Sequence, residues 1–353
     1  MGNVLLILIG SGVGWKLIKN FYIKPKKIKM NLVKYSDPSV VKVEELPDEL
    51  YNNPIEENTI IDNPIYEKYY DKFCKVIEAN IPKEDLGNYY RNFKSLAGKD
   101  TNLKAKLFYL MRGKVIGGGY FPIDNTFDPN SSIISRFMNT DTHELLHASS
   151  SYFDKEKKII YCGFQQVFIK EGYDNKKGKR KFETYGLALN EGYTQYLNIK
   201  LFDTNDERSK QIYENEQIIA KGLEEIVGED KLKSLYFRGD LNGLVNELCK
   251  YNKKEDVYKF ITLTDILCVM SRDISRNTSE IKEAKSFVGS FLINTIIKSK
   301  GKVEASEFAK LLNEYVPYND NRNTDVVISD DIISMLSSKH DNTEDEVITR
   351  SVK

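Results

Sequence analysis

Two of the three histidines in this chain, His143 and His147, stand four residues apart with Glu144 beside the first, in the run NTDTHELLHASSS at residues 139–151. On a helix, positions i and i+4 share one face a turn apart, so both imidazoles can grip one metal ion. Glu144, one residue along, can reach a water on that metal. The flanks suit a helix. Asn139, Asp141 and Thr142 offer capping oxygens, and Leu145 and Leu146 supply an apolar face. The plain alternative is an accidental match between ordinary helix residues. The scarcity of histidine argues against it.

The rest of the chain narrows the class. At 353 residues it can bury a sizeable core, in one large or two ordinary domains. Lys+Arg and Asp+Glu both number 52, which excludes a dominant nucleic-acid footprint. Cys74, Cys162, Cys249 and Cys268 form no C-x-x-C pair, as expected of free thiols in a reducing compartment.

Residues 4–9 are wholly apolar, and the apolar run continues to Trp15 before Lys16 and Lys19 interrupt it. This is short for a bilayer span, yet it could reach across if the lysines snorkel. The positive charge that follows, at Lys24, Lys26, Lys27 and Lys29, would keep the bulk of the chain cytoplasmic. Residues 1–23 are therefore read as a membrane anchor, with a buried N-terminal helix of a soluble cytoplasmic protein as the rival. Residues 24–64, with Pro38, Pro47, Pro54 and Pro64 among acidic residues, read as linker.

From residue 65 the period turns helical, with Tyr66, Tyr69, Tyr70, Phe73, Val76 and Ile77 at three- and four-residue steps. Residues 107–123 read as two short strands. Gly117, Gly118 and Gly119 form either a turn or an edge strand against which an extended peptide could lie. Residues 158–169 suit one strand, residues 173–179 a turn, and residues 180–184 a returning strand, giving a β-hairpin. A helix beginning near Asn190 follows, with the sequence LNEGYTQYL.

HELLH followed by that helix resembles the gluzincin zinc metallopeptidases, the group that includes the thermolysin-like enzymes. The resemblance covers about twenty motif residues and their order. It implies a zincin-like core in which His143, His147 and Glu191 hold Zn2+ and Glu144 is the general base. The family carries an acid four residues after its ligand glutamate, to orient a histidine; this chain has Gln195 there. A carboxamide can accept a histidine N–H, but it cannot raise ligand basicity as a carboxylate does. From His147 to Glu191 is 44 positions, longer than in thermolysin and enough for the hairpin.

Glu156, Glu171 and Glu183 are rivals to Glu191 as the third ligand. Glu191 is favoured because a helix holds a ligand more rigidly than a loop does. An oxyanion donor is also needed. Tyr185, just before the Glu191 helix, is the first choice and Tyr193 the second. His340 falls in a polar tail and is expected to be merely solvated.

The expectation is a mostly helical α+β metallopeptidase acting on a peptide or protein substrate. Residues 65–204 would form the catalytic core, 205–317 a helical subdomain walling the substrate cleft, and 318–353 a polar tail. Oligomeric state is not legible. The rival class is a helical interaction or scaffold protein that keeps the fold and cleaves nothing. Gln195 keeps that reading open, while an intact Glu144 argues against it. A third reading is an enzyme acting on an amide outside a peptide chain.

Overall fold

The computed structural model describes residues 43–51, 61–98, 119–128, 140–169, 182–202, 213–270 and 279–314. The expected anchor at residues 1–23, residues 107–118 of the two expected strands with Gly117 and Gly118, Asn139, Glu171, the expected turn at 173–179, the expected tail and His340 lie outside them. Among the described residues, no helix is long and apolar enough to cross a membrane.

The chain is α+β and mostly helical. After a short helix α1 (Asp48–Tyr51) come α2 (Pro64–Tyr69), a π turn over Tyr70–Cys74, α3 (Lys75–Asn80) and α4 (Gly87–Ser95). Strands β1 (Ala97–Gly98), β2 (Gly119–Phe121) and β3 (Thr126–Asp128) form a small sheet in the order β1-β3-β2. Helix α5 (Thr140–Ser149) leads into a second sheet of β4 (Ser151–Asp154), β5 (Ile159–Cys162), β6 (Gln165–Ile169) and β7 (Phe182–Tyr185), antiparallel throughout. The remaining helices are α6 (Leu187–Phe202), α7 (Glu214–Val227), α8 (Glu229–Arg238), α9 (Leu241–Cys249), α10 (Lys254–Met270), α11 (Ser279–Ser299) and α12 (Lys302–Glu314).

The π turn explains why the aromatic stripe is only partly inside. Tyr69, Phe73 and Ile77 are buried. The extra residue in that turn shifts the helical phase, and Tyr70 is left 40% exposed. The stretch around α1, within the span read as linker, is docked on the second sheet. Buried Gln166 donates to the Glu44 carbonyl at 2.8 Å and accepts its N–H at 2.9 Å. Leu46 packs there on Ile159 and Tyr161.

Three local expectations are corrected. Residues 158–169 make two strands, because Gly163 at φ +52° turns the chain back and Cys162 pairs with Gln165. The expected hairpin is thus a four-stranded meander that begins at β4. The Glu191 helix starts at Leu187, a turn earlier than expected. Asp141 and Thr142 lie inside α5 and tie it to its neighbours: Tyr69 donates to Asp141 at 3.0 Å, and Thr142 donates to Asn198 at 2.6 Å.

One hydrophobic core runs from Ile61 to Ala309, so the expected catalytic core and helical subdomain share it. Leu145 and Leu146 on α5 are fully buried in it. Two close approaches fix the helices around α6. A Cβ on Gly192 would lie 2.3 Å from the Glu216 carbonyl oxygen, so α6 and α7 meet backbone to backbone. A Cβ on Gly163 would lie 2.2 Å from Asn190 Oδ1 and 2.5 Å from Tyr236 Cε2, which presses the β5–β6 turn onto α6 and α8.

Candidate metal centre

Helices α5 and α6 pack together, the first presenting His143 and His147 and the second Glu191. One ligand atom from each lies within 4.8 Å of the other two, a group able to hold a metal ion. The two Nε2 atoms are 3.1 Å apart, and Glu191 Oε2 lies 3.3 Å from His143 Nε2 and 3.7 Å from His147 Nε2. Both histidines are buried, and the Glu191 side chain is 18% exposed, so the triangle opens to solvent on its carboxylate side. Glu156 and Glu183, the rivals among the described residues, are not in this group.

The residues behind the histidines decide which nitrogen is free to bind. Gln195 Oε1, which can only accept, lies 2.9 Å from His143 Nδ1. With the proton on Nδ1 this contact is a hydrogen bond, and the Nε2 lone pair is left for a metal. Around His147 Nδ1 stand Asn190 Nδ2 at 3.3 Å, Thr194 Oγ1 at 3.5 Å and Cys162 Sγ at 3.7 Å. Asn190 Oδ1 is buried without a hydrogen-bond partner. A half-turn of that amide brings Oδ1 to the His147 Nδ1 proton, the polarity that a metal on Nε2 requires. Thr194 is fixed in turn by Tyr236, hydroxyl to hydroxyl at 2.7 Å. The donor set and its orphaned acceptor fit a bound cation.

The electrostatics point the same way. Burial works to depress the His147 pKa, but the Glu191 carboxylate and the Cys162 sulfur overcome it and hold His147 well above the usual imidazole range. Burial works to raise Glu191, and the two histidines override it and hold Glu191 well below the usual carboxylate range. The pocket thus favours a positive charge facing an ionised Glu191. A metal ion held there would supply that charge in place of the proton.

Glu144 sits beside this group on α5. Burial pushes its carboxyl up, against the pull of His143 and His147. Its Oε2 accepts the N–H of Tyr120 from strand β2 at 3.0 Å. Among the described residues strand β2 pairs with β3 alone, and its Gly119 is the described end of the glycine run.

Three tyrosines bear on the expectation of an oxyanion donor. Tyr185 is buried with its ring edge-on to Phe168, 5.9 Å between centroids. Tyr193 is fully buried between Phe164 and Tyr236, and its hydroxyl has no hydrogen-bond partner. Among the described residues Tyr213 stacks on His143, 6.1 Å between centroids and 13° between planes. Tyr213 comes from the polar run RSKQIYENEQ, and Tyr120 contributes a backbone group. Neither carries a periodic or motif signal in the sequence. Set against known protein families, curated proteins and solved structures, this chain matches none of them.

Proposed function

We propose that the chain is a zinc-dependent metallopeptidase of the gluzincin type, with a zincin-like core built on α5 and α6. The observation that carries this reading is the pairing of a three-ligand triangle with an acid that is not part of it: Glu144, steered by the Tyr120 N–H. Structural zinc is held by four protein ligands, whereas catalytic zinc takes three and keeps one position open. Zinc ligand bonds of about 2.0–2.1 Å give a tetrahedron with edges of ~3.3 Å. The separations of 3.1, 3.3 and 3.7 Å bracket that value.

Zinc held there would lower the pKa of a water and polarise the substrate carbonyl. The protein's own part is positioning and proton transfer. His143 and His147 present Nε2 because their other nitrogens are engaged. Glu144 takes the proton from the attacking water and returns it to the leaving amine. Burial raises its basicity for that task. Strand β2, beside Glu144, is where an extended peptide would add by backbone pairing, which makes a peptide or protein the substrate class this reading favours. The apolar run from Val4 to Trp15, followed by Lys24, Lys26, Lys27 and Lys29, supports an N-terminal membrane attachment with the catalytic domain in the cytoplasm.

Metal analysis paired with a peptide-library cleavage assay tests the proposal. The purified protein should carry zinc and lose hydrolysis on chelation. Glu144→Gln should keep the metal and lose about 10²–10⁴-fold in rate, the usual worth of general-base catalysis. Hydrolysis undiminished in Glu144→Gln would exclude this mechanism. A zinc-loaded protein that cleaves no peptide would favour the scaffold reading.

A further inference from the structure

Helix α6 lacks a cap of its own. Its N-terminal flanking residue is Gly186, at φ +78°, and the first backbone bond within the helix runs from Asn190 N–H to Gly186 C=O at 2.9 Å. Glycine has no side chain with which to satisfy the free N–H groups of the first turn. A capping serine or aspartate cannot replace it, since a Cβ there would lie 1.9 Å from the Phe164 carbonyl oxygen. The cap comes instead from α10, nearly eighty residues on. Asp265 Oδ2 accepts the Gly186 N–H at 2.8 Å, and Asp265 Oδ1 accepts the Ala188 N–H at 2.8 Å.

We infer that Asp265 is the positioning residue for Glu191, setting where α6 begins and so where its carboxylate meets the two histidines. This rests on the metal-centre reading above. A single hydrogen bond would let the helix end pivot. Two bonds to both oxygens of one carboxylate fix the helix along its axis and about it. Glu191 lies three residues beyond Ala188, less than one turn, so a displacement of the capped end reaches the ligand almost undiminished. Ligand groups must be held within about 0.5 Å to serve a site.

The surroundings of Asp265 strengthen the case. Its neighbours Thr264 and Ile266 are buried, and burial pushes its carboxyl up to about 7 against the pull of the two N–H groups. The two backbone N–H groups are the partners that hold this acid in place. Helix α10 also packs along α6, so the cap is seated on a rigid element. Asp265 touches no ligand, and its effect would run through the helix alone.

The test measures zinc affinity by competition with a chromophoric chelator and the visible d–d spectrum of the Co2+-loaded protein. It compares wild type with Asp265→Asn, Asp265→Glu and a control, Asp85→Asn. Asp85 is a buried acid that holds Arg238 and Ser234 away from α6. Asp265→Asn sets an amide N–H against one of the backbone N–H groups and should bind zinc up to about tenfold more weakly, the lower end of what loss of a direct partner of a ligand costs, because its effect runs through the helix. Its cobalt band should shift. Asp265→Glu keeps both acceptor oxygens one methylene further out, and should fold and shift the band by less. Asp85→Asn should lose stability while leaving both readouts unchanged. Wild-type zinc affinity and cobalt spectrum in both Asp265 variants would overturn the positioning role alone. A wild-type protein that takes up neither metal would overturn the metal centre, and this role with it.

Discussion

Gly192→Ala separates two effects of opposite sign. On helix propensity alone the substitution should stabilise the protein by about 0.5–1 kcal/mol, because alanine loses less backbone entropy than glycine in a helix interior. The packing argues the reverse. The new methyl would stand 2.3 Å from the Glu216 carbonyl oxygen, 2.5 Å from its carbonyl carbon and 2.7 Å from its Cβ. Two of these atoms are backbone of α7, so no rotamer change relieves the contact. Real Cβ contacts essentially never fall under 3.0 Å, so α6 and α7 must part by about 0.7 Å. Overpacking of this kind costs ~1–3 kcal/mol. The net expectation is a loss of about 0.5–2 kcal/mol, read as a lower urea midpoint at unchanged slope. Glu191 is the adjacent residue and should be carried with the helix, which lowers zinc affinity by competition titration. A Gly192→Ala protein as stable as wild type, or more so, would refute the close approach and the placement of α7 against the metal helix.

Other expectations follow from the same geometry. Glu191→Ala should lower zinc content sharply and abolish hydrolysis, whereas Glu183→Ala, on β7, should leave the metal bound; the reverse pattern in metal analysis would reassign the third ligand. Gln195→Leu removes the acceptor behind His143 Nδ1 and should weaken zinc binding about 10–100-fold by chelator competition; unchanged affinity would make that contact incidental. Asp265 titrates near 7 in the fold against an ordinary 3.8, so the native state binds the extra proton between those values. Its contribution to stability is complete below about pH 4 and is lost as pH rises to about 7, amounting to ~4 kcal/mol at 1.36 kcal/mol per pH unit. Urea midpoints across pH 4–8 should therefore fall less steeply in Asp265→Asn than in wild type, and equal slopes would show that Asp265 is not protonated within the fold.

The histidine pair was legible because the helix period and the HELLH spacing coincide in a chain with only three histidines. Glu191 was legible because its neighbours fix it on a helix, and the structure brings it to the two histidines. What escaped the sequence were contacts made across long separations. Asp265 caps α6 from 79 residues beyond Gly186, and Gln166 clamps Glu44 from 122 residues away. No local pattern encodes either. The meander was hidden for another reason. In KIIYCGFQQVFI a single glycine breaks an apolar run, which reads as one long strand unless the turn at Gly163 is known. Strand β4 follows α5 directly, and the serines shared by their boundary carry neither strand nor helix preference. Tyr213 stacks on His143 from within a polar stretch, where an aromatic has no periodic partners to betray its role.

The turn at Gly163 also ties the second sheet to the metal centre in time as well as in space. It is pressed against Asn190, which stands on His147, so opening the hairpin removes the packing that holds the residue behind that histidine. Local opening is what lets strand amides exchange their hydrogens with solvent. An ion that binds only the closed arrangement raises the free energy of every opening that disrupts its ligands. Amide hydrogens of β5 and β6 should therefore exchange with deuterium more slowly when the centre is loaded, although their own residues supply no ligand. The sheet that separates the histidines from Glu191 along the chain thereby becomes a reporter of whether the ion is in place.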